Sequence, residues 1–121
     1  MIEMISGLPA NVLGFSAKGV VTAEDYETVI IPVVEERFSH QDKVRLLYHI
    51  GEESAGFEAA AMWDDTKLGM KHITGWERIA VVTDIEWMRI ALKVFGFGMP
   101  AEIRVFSNDE MAKAVHWIGK A

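Results

Sequence analysis

The chain contains no cysteine among its 121 residues, which excludes disulfide bonds, thiolate zinc sites and thiol nucleophiles. It also lacks a linker rich in proline, glycine or serine, so residues 1–121 fit a single domain of ordinary size. Basic residues are fewer than acidic ones, and the resulting net charge of −6 opposes long-range attraction to nucleic acid or anionic lipid. We therefore expect no nucleic-acid partner.

Long hydrophobic runs are also missing, although half of the residues are hydrophobic. The longest purely apolar run is only a handful of residues, too short to span a bilayer. The first residues, MIEMISGLPANVLG, include the acidic Glu3 and no basic segment, unlike a secretion signal. The sequence therefore predicts a cytoplasmic protein.

Known catalytic and metal-binding signatures are absent as well. The chain has no dinucleotide-binding glycine motif, no phosphate-binding loop, no nucleophile elbow and no zinc-protease helix motif. The histidines lack ligand spacing, so we expect no metal and no cofactor; they are His40, His49, His72 and His116. Asp65 and His72 share a predicted helix face, where a carboxylate and an imidazole could begin general-base chemistry. No nucleophile accompanies them, so we favour a solvated helix face and expect no enzyme.

Alternating strand-like and helix-like periods predict an α/β domain with the element order ββαβαβαβα. We expect a five-stranded mixed sheet in which an N-terminal antiparallel hairpin precedes mostly parallel strands, packed with about four helices. The predicted strands are residues 1–8, 12–21, 43–50, 78–82 and 103–106, and the polar segment 51–56 is expected to be a loop. Capping boxes begin helices at Thr22, Thr83 and Ser107, and Pro32 is expected to kink the first helix. The last helix should bury Met111, Ala114, Val115 and Ile118.

The stretch TDIEWMRIALKVFGFGMP, from Thr83 to Pro100, is the most apolar helix of the chain. Its charged residues, Glu86, Arg89 and Lys93, fall within one narrow arc at about 100° per residue. A helix that packs on one core face needs an apolar stripe only somewhat over about 100° wide, so part of the apolar surface of this helix remains to be covered. A second layer of protein, a bound apolar molecule or a membrane surface would each cover it.

The four tryptophans divide into two groups. Trp76 and Trp117 are expected in the core, whereas Trp63 and Trp87 lie on predicted helices that also carry basic residues. Aromatic rings beside lysine and arginine are typical of an interfacial helix, and also of an ordinary amphipathic helix with snorkelling bases. The candidate membrane contacts are Arg89, Lys93, Lys67 and Lys71.

Five motifs together resemble one family of small bacterial proteins. They are WDDTKLGMKH from Trp63, WERIAVV from Trp76, DIEW from Asp84, PAEIRVF from Pro100 and AVHWI from Ala114. This pattern, over roughly residues 57–118, is similar to that of the SpoIIAA-like family. The resemblance implies a fold shared with the STAS domains of anti-sigma-factor antagonists and similar to the CRAL-TRIO lipid-binding domains.

These relatives imply two functions. The CRAL-TRIO likeness implies non-enzymatic binding of a small apolar or lipid-like molecule beneath the helix Thr83 to Pro100, with transient association at the inner membrane face. We expect the sheet-facing side of that helix, including Trp87, Ala91, Val94 and Phe95, to line a cavity. The candidate ligand-binding residues are Tyr48, Trp63, Trp87, Ile90, Ala91, Val94, Phe95 and Phe97. The alternative is a STAS-like interaction module with a protein partner or a second copy.

The STAS likeness also generates a test at the segment ESAG, from Glu53 to Gly56. STAS antagonists are switched by phosphorylation of a serine just before the glycine, where this chain has Ala55. Ser54 is the remaining weak candidate. We predict that a serine kinase of the anti-sigma type leaves this segment unmodified, as measured by intact-protein mass spectrometry. Stoichiometric phosphate on Ser54 would favour the interaction module instead.

Overall fold

A five-stranded sheet organises the computed structural model, which describes residues 1–96 and 98–121. The strands follow one another in chain order across the sheet: β1 (Ile2–Met4), β2 (Val12–Val21), β3 (Val44–Phe57), β4 (Trp76–Thr83) and β5 (Glu102–Phe106). Only β1 and β2 pair antiparallel, whereas β2 with β3, β3 with β4 and β4 with β5 are parallel. The predicted mixed sheet is confirmed.

Helical segments connect these strands. They are α1 (Ala23–Asp25), a π turn (Tyr26–Ile30), α2 (Ile31–Phe38), α3 (Ala59–Lys71), α4 (Glu86–Gly96), a 3₁₀ turn (Asn108–Glu110) and α5 (Met111–Gly119). The capping boxes of Thr22 with Asp25 and of Ser107 with Glu110 are both formed. Each box satisfies two backbone donors that a helix start leaves free.

Pro32 is preceded by a distortion of the helix, one turn earlier in the chain. The helical run continues from Ala23 to Phe38, but it widens into the π turn, where the Ile31 N–H donates to the Tyr26 carbonyl. A proline removes one helical donor and crowds the carbonyl four residues earlier, and a π bulge is one way for a helix to accommodate such a break. The expected distortion therefore takes the form of a wider turn within one helical run.

The two faces of the sheet bury different helices, because alternate side chains of a strand point to opposite faces. On one face, strand residues such as Phe15, Tyr48 and Val81 pack with the segments that contain α1, α2, α3 and α4. On the other face, Val12, Leu47, Ala80 and Val82 pack against α5 through Ala114, Trp117 and Ile118. Both faces of the central strands are thus covered, as expected for a mostly parallel sheet.

Two sequence-based expectations are wrong. The polar segment 51–56 continues β3 instead of forming a loop, and it pairs with the end of β2 through an irregular register. Gly19 and Gly56 have φ of +60° and +116°, a region that favours glycine, and so permit this bulged pairing. In α5, Val115 is 39% exposed and Trp117 only 4%, because the buried stripe follows Ala114, Trp117 and Ile118.

The end of α5 is held by arginines from the sheet. Arg45 donates to the carbonyls of Ile118 and Lys120 at 2.9 and 2.6 Å, and Arg78 donates to those of Trp117 and Lys120 at 3.1 and 2.8 Å. The guanidinium of Arg78 also lies 5.5 Å from the Trp117 ring centre. Cations are favourable at a helix C-terminus and over an aromatic face, so these contacts fix α5 on the sheet.

This anchoring predicts different costs for two tryptophans. Trp117→Ala removes a buried ring and should lower the free energy of unfolding by about 3–5 kcal/mol. Trp87→Ala removes an exposed ring and should change it by no more than about 0.5 kcal/mol. Chemical denaturation followed by circular dichroism measures both values. Equal costs for the two variants would contradict this packing.

Candidate functional site

Helix α4 faces the sheet with a different side from the one predicted. Ile85, Met88 and Leu92 pack against the apolar core, and their spacing places them on one arc of the helix. Trp87, Val94 and Phe95 were expected on the sheet-facing side, but they are 58%, 68% and 67% exposed. The expected cavity wall is therefore not formed by them.

The outer face of α4, defined here as Trp87, Ile90, Val94 and Phe95, carries four exposed large apolar side chains. Ile90 is 57% exposed, much like the other three side chains. Ala91, between them in the sequence, is half-buried, and Phe97 lies outside the described residues. Clustered apolar side chains on a surface mark contact sites for lipid, ligand or protein.

Basic residues of α4 differ in how firmly they are held. Arg89 donates from Nη1 to the Thr83 carbonyl at 2.8 Å, at the end of β4. Lys93 is exposed, and within the described part of the chain it forms no ion pair. Lys93 is therefore the α4 cation available for an external anion.

Helix α3 also exposes a tryptophan and two lysines, but both lysines have acidic neighbours. Lys67 Nζ lies 3.5 Å from Asp64 Oδ1 and 5.9 Å from the Trp63 ring centre. Lys71 Nζ lies 2.8 Å from Glu35 Oε2. These contacts leave α3 with less free positive charge than its sequence suggests.

Tyr48, the remaining ligand-binding candidate, belongs to a buried chain of hydrogen bonds. Its hydroxyl lies 3.2 Å from that of Tyr26, which in turn donates to Asp65 Oδ1 at 2.8 Å. Burial raises the pKa of both tyrosines, so their hydroxyls stay protonated. The Asp65 residue as a whole is exposed. The protein atoms around its carboxyl group nevertheless desolvate that group and raise its pKa.

Asp65 and His72 do not meet in a general-base pair, since each has another partner. The His72 Nε2 lies 2.5 Å from Glu35 Oε1, and its ring stacks on Phe38 with centres 4.1 Å apart. The hydrogen bond from Lys71, followed by that from His72, holds the pKa of Glu35 below its usual value. This cluster joins α2 to α3 and leaves Asp65 to Tyr26.

Ser54 lies on β3, before α3 begins at Ala59. Its Oγ is buried and has no hydrogen-bond partner within residues 1–96 and 98–121. Ala55, next to it, is exposed. That a kinase of the anti-sigma type leaves this segment unmodified stays a prediction.

Two neighbouring depressions lie at the carboxyl edge of the parallel strands, where ligands bind in open α/β sheets. Their volumes are about 280 and about 390 Å³, and Gly51, Glu52 and Asn108 line both. The larger depression brings together Gly51 of β3, Asp84 directly after β4 and Asn108 shortly after β5.

Sequence reasoning missed Ser16 at this edge. Its Oγ lies 3.0 Å from the Nδ1 of His49, its partner in the register of β2 with β3. The predicted hairpin of β1 and β2 does not say which strand pairs with the other edge of β2, and in the structure that strand is β3. The signal lay in the strand order, which depends on long-range pairing.

Comparisons with known proteins agree with this fold. The SpoIIAA-like family model matches residues 12–119. The crystal structure of an uncharacterized protein of the DUF3478 family from Shewanella loihica PV-4, with a SpoIIAA-like fold, is similar with a TM-score of 0.76. The two sequences are 29% identical over 97% of this chain and 93% of that one. No curated protein matches the chain.

The Asp65 contacts predict an unusual pH dependence of stability. A carboxyl group with a raised folded pKa contributes its stability in full below its unfolded pKa, and that contribution is lost as the pH rises through the folded pKa. Asp65→Asn cannot ionise and can still accept from Tyr26. Its free energy of unfolding, relative to wild type, should therefore increase from pH 4 to pH 7.

Urea denaturation across this pH range measures the effect. The Tyr26→Phe variant serves as the matched control. It loses the hydrogen bond that lowers the pKa of Asp65, so the loss of stability that Asp65 causes between pH 4 and pH 7 should be larger in this variant. A difference between Asp65→Asn and wild type in the free energy of unfolding that stays constant or falls from pH 4 to pH 7 would contradict the argument.

Proposed function

The chain belongs to the SpoIIAA-like family, and we propose that it binds lipid at a membrane surface through the outer face of α4. No described helix is long and apolar enough to cross a membrane. The proposal rests on one observation, the exposure of Trp87, Ile90, Val94 and Phe95 on a single helix.

The size of this face suits a reversible contact. Fully burying one large apolar side chain contributes about 1.5–3 kcal/mol, and each of these four has more than half of its surface still to bury. Together they supply about 4–8 kcal/mol before any cost of association. Because about 4 kcal/mol corresponds to a Kd of about 1 mM, attachment through this face alone is transient.

Charge determines how the protein approaches the surface. The whole chain has a net charge of −6, which repels anionic lipid, whereas α4 carries Arg89 and Lys93 against the single acid Glu86. Lys93 follows Ile90 on the helix and precedes Val94, so a headgroup phosphate can meet it when the apolar side chains enter the interface. The molecule therefore docks with α4 leading.

A lipid-like ligand beneath α4 requires the helix to move. The inner residues Ile85, Met88 and Leu92 already pack on the core that includes Tyr48. Transfer of the outer face into lipid would offset part of the cost of separating these contacts. Gly96, the last residue of α4, and Gly98 beyond it are the positions where the backbone turns most freely.

The test uses Trp87 as a fluorescent reporter of the outer face. In a Trp63→Phe background the other two tryptophans, Trp76 and Trp117, are buried. Vesicles of phosphatidylcholine with phosphatidylglycerol should shift the emission to shorter wavelength and should sediment the protein. Val94→Asp should abolish both effects, because it places a charge on the apolar face.

Val115→Asp is the matched control, since it makes the same change on an exposed position of α5, on the opposite side of the sheet. It should bind like the parent protein, and Lys93→Ala should weaken binding only to the anionic vesicles. Equal binding by the two aspartate variants would refute a role for α4. Dimerisation lost only in Val94→Asp, with no vesicle binding by the parent, would assign this face to a second copy.

A further inference from the structure

Strand β3 continues well past the end of its neighbour β4. The pairing of β3 with β4 ends at Ile50 and Thr83, but β3 itself runs on to Phe57. Beyond Ile50, Ser54, Gly56 and Phe57 pair with β2 on the other side, and the printed register pairs none of residues 51–57 with β4. The sheet therefore projects a two-stranded ribbon beyond its carboxyl edge.

This ribbon has an unpaired edge of backbone groups. In a parallel strand, N–H and C=O groups point alternately toward the two neighbouring strands. The groups of residues 51–57 that point away from β2 therefore lie on the side where β4 would pair if it continued past Thr83. Within the described residues, no backbone group from another segment bonds to them. An exposed strand edge of this kind is a template for another chain.

The depression of about 390 Å³ lies directly beside this edge. Its lining combines the apolar Ile50 and Ile85 with the carboxylates of Glu52 and Asp84, and contains no basic residue. Two further lining residues, Ser54 and Asn108, each carry a buried side-chain oxygen without a hydrogen-bond partner in the described chain. The site offers acceptors and negative charge beside a strand that can pair.

We propose that the edge formed by residues 51–57 of β3 binds an extended peptide segment of a partner protein, with basic and apolar side chains in alternation. The peptide backbone would add a strand in the position beyond β4. Its basic side chains would meet the carboxylates of Glu52 and Asp84, and its apolar side chains would point to the opposite face of the added strand. This surface is separate from the outer face of α4 and does not depend on the proposed lipid contact.

Charge distinguishes this occupant from the other ones. Anionic lipid and nucleic acid are repelled by the acidic lining. A second copy using the same edge would bring Glu52 toward its own equivalent, because a two-fold contact repeats the same patch on both subunits. Like charges placed together in a contact are unfavourable. A basic peptide is the occupant that complements both the backbone edge and its charge.

The probe is a fluorescein-labelled, capped peptide of sequence Lys-Val-Lys-Val-Lys-Val. Its fluorescence anisotropy should rise in a saturable way with protein concentration, and hydrogen exchange of the amides in residues 51–57 should slow in the complex. Two further peptides carry N-methyl groups on all lysines or on all valines. Since only alternate residues of an added strand bond to β3, one of these two peptides should lose binding and the other should retain it.

Glu52→Lys tests the charge of the site, with Glu27→Lys on the remote π turn as a control of equal net charge. The first change should raise the Kd about tenfold, and the second should leave it within about twofold. Three results would each overturn the proposal. They are unchanged affinity of both N-methylated peptides, equal effects of the two lysine variants, and no binding by the probe. Concentration-dependent protection of residues 51–57 in the protein alone would show that a second copy occupies the edge, and would overturn it as well.

Discussion

Burial of both faces of the sheet is the constraint on which the rest of the molecule depends. The segments of α1, α2, α3 and α4 share one face, and α5 covers the other. Because α4 connects β4 to β5, the last strand of the sheet, it lies at one end of its layer. Its inner residues complete the core, while more than half of the surface of each side chain on its outer face is exposed.

Charge is distributed to match this arrangement. Positive groups are used mostly inside the fold: Arg45 and Arg78 hold the end of α5, and Lys71 holds Glu35. Lys18 is likewise bound to Glu53 at 2.6 Å, a hydrogen bond that raises the pKa of the lysine and lowers that of the glutamate. The larger depression at the carboxyl edge keeps the acidic Glu52 and Asp84 in its lining without a basic residue, and Lys93 is left on α4.

Local signals in the sequence predicted the elements, and long-range packing decided the sites. The capping pair Ser107 and Glu110 and the apolar strand RIAVV depend on neighbours in the chain, so they could be recognised before the structure was known. Helix α4 is apolar on both sides, so its sequence does not say which side meets the sheet. The segment 51–56 looks like a polar loop, and only its pairing with β2 makes it a strand.

Ile85 connects the two proposed surfaces physically. It packs against the core together with the inner residues of α4, and it also lines the larger depression beside β3. The Ile85 amide is held by the Thr83 hydroxyl at 3.2 Å, and Arg89 of α4 bonds to the Thr83 carbonyl. A movement of α4 toward lipid would therefore displace one wall of the depression. A bound peptide that holds Ile85 in place would oppose this movement and so weaken lipid binding. Because coupling between two binding sites is reciprocal, lipid would weaken peptide binding by the same factor.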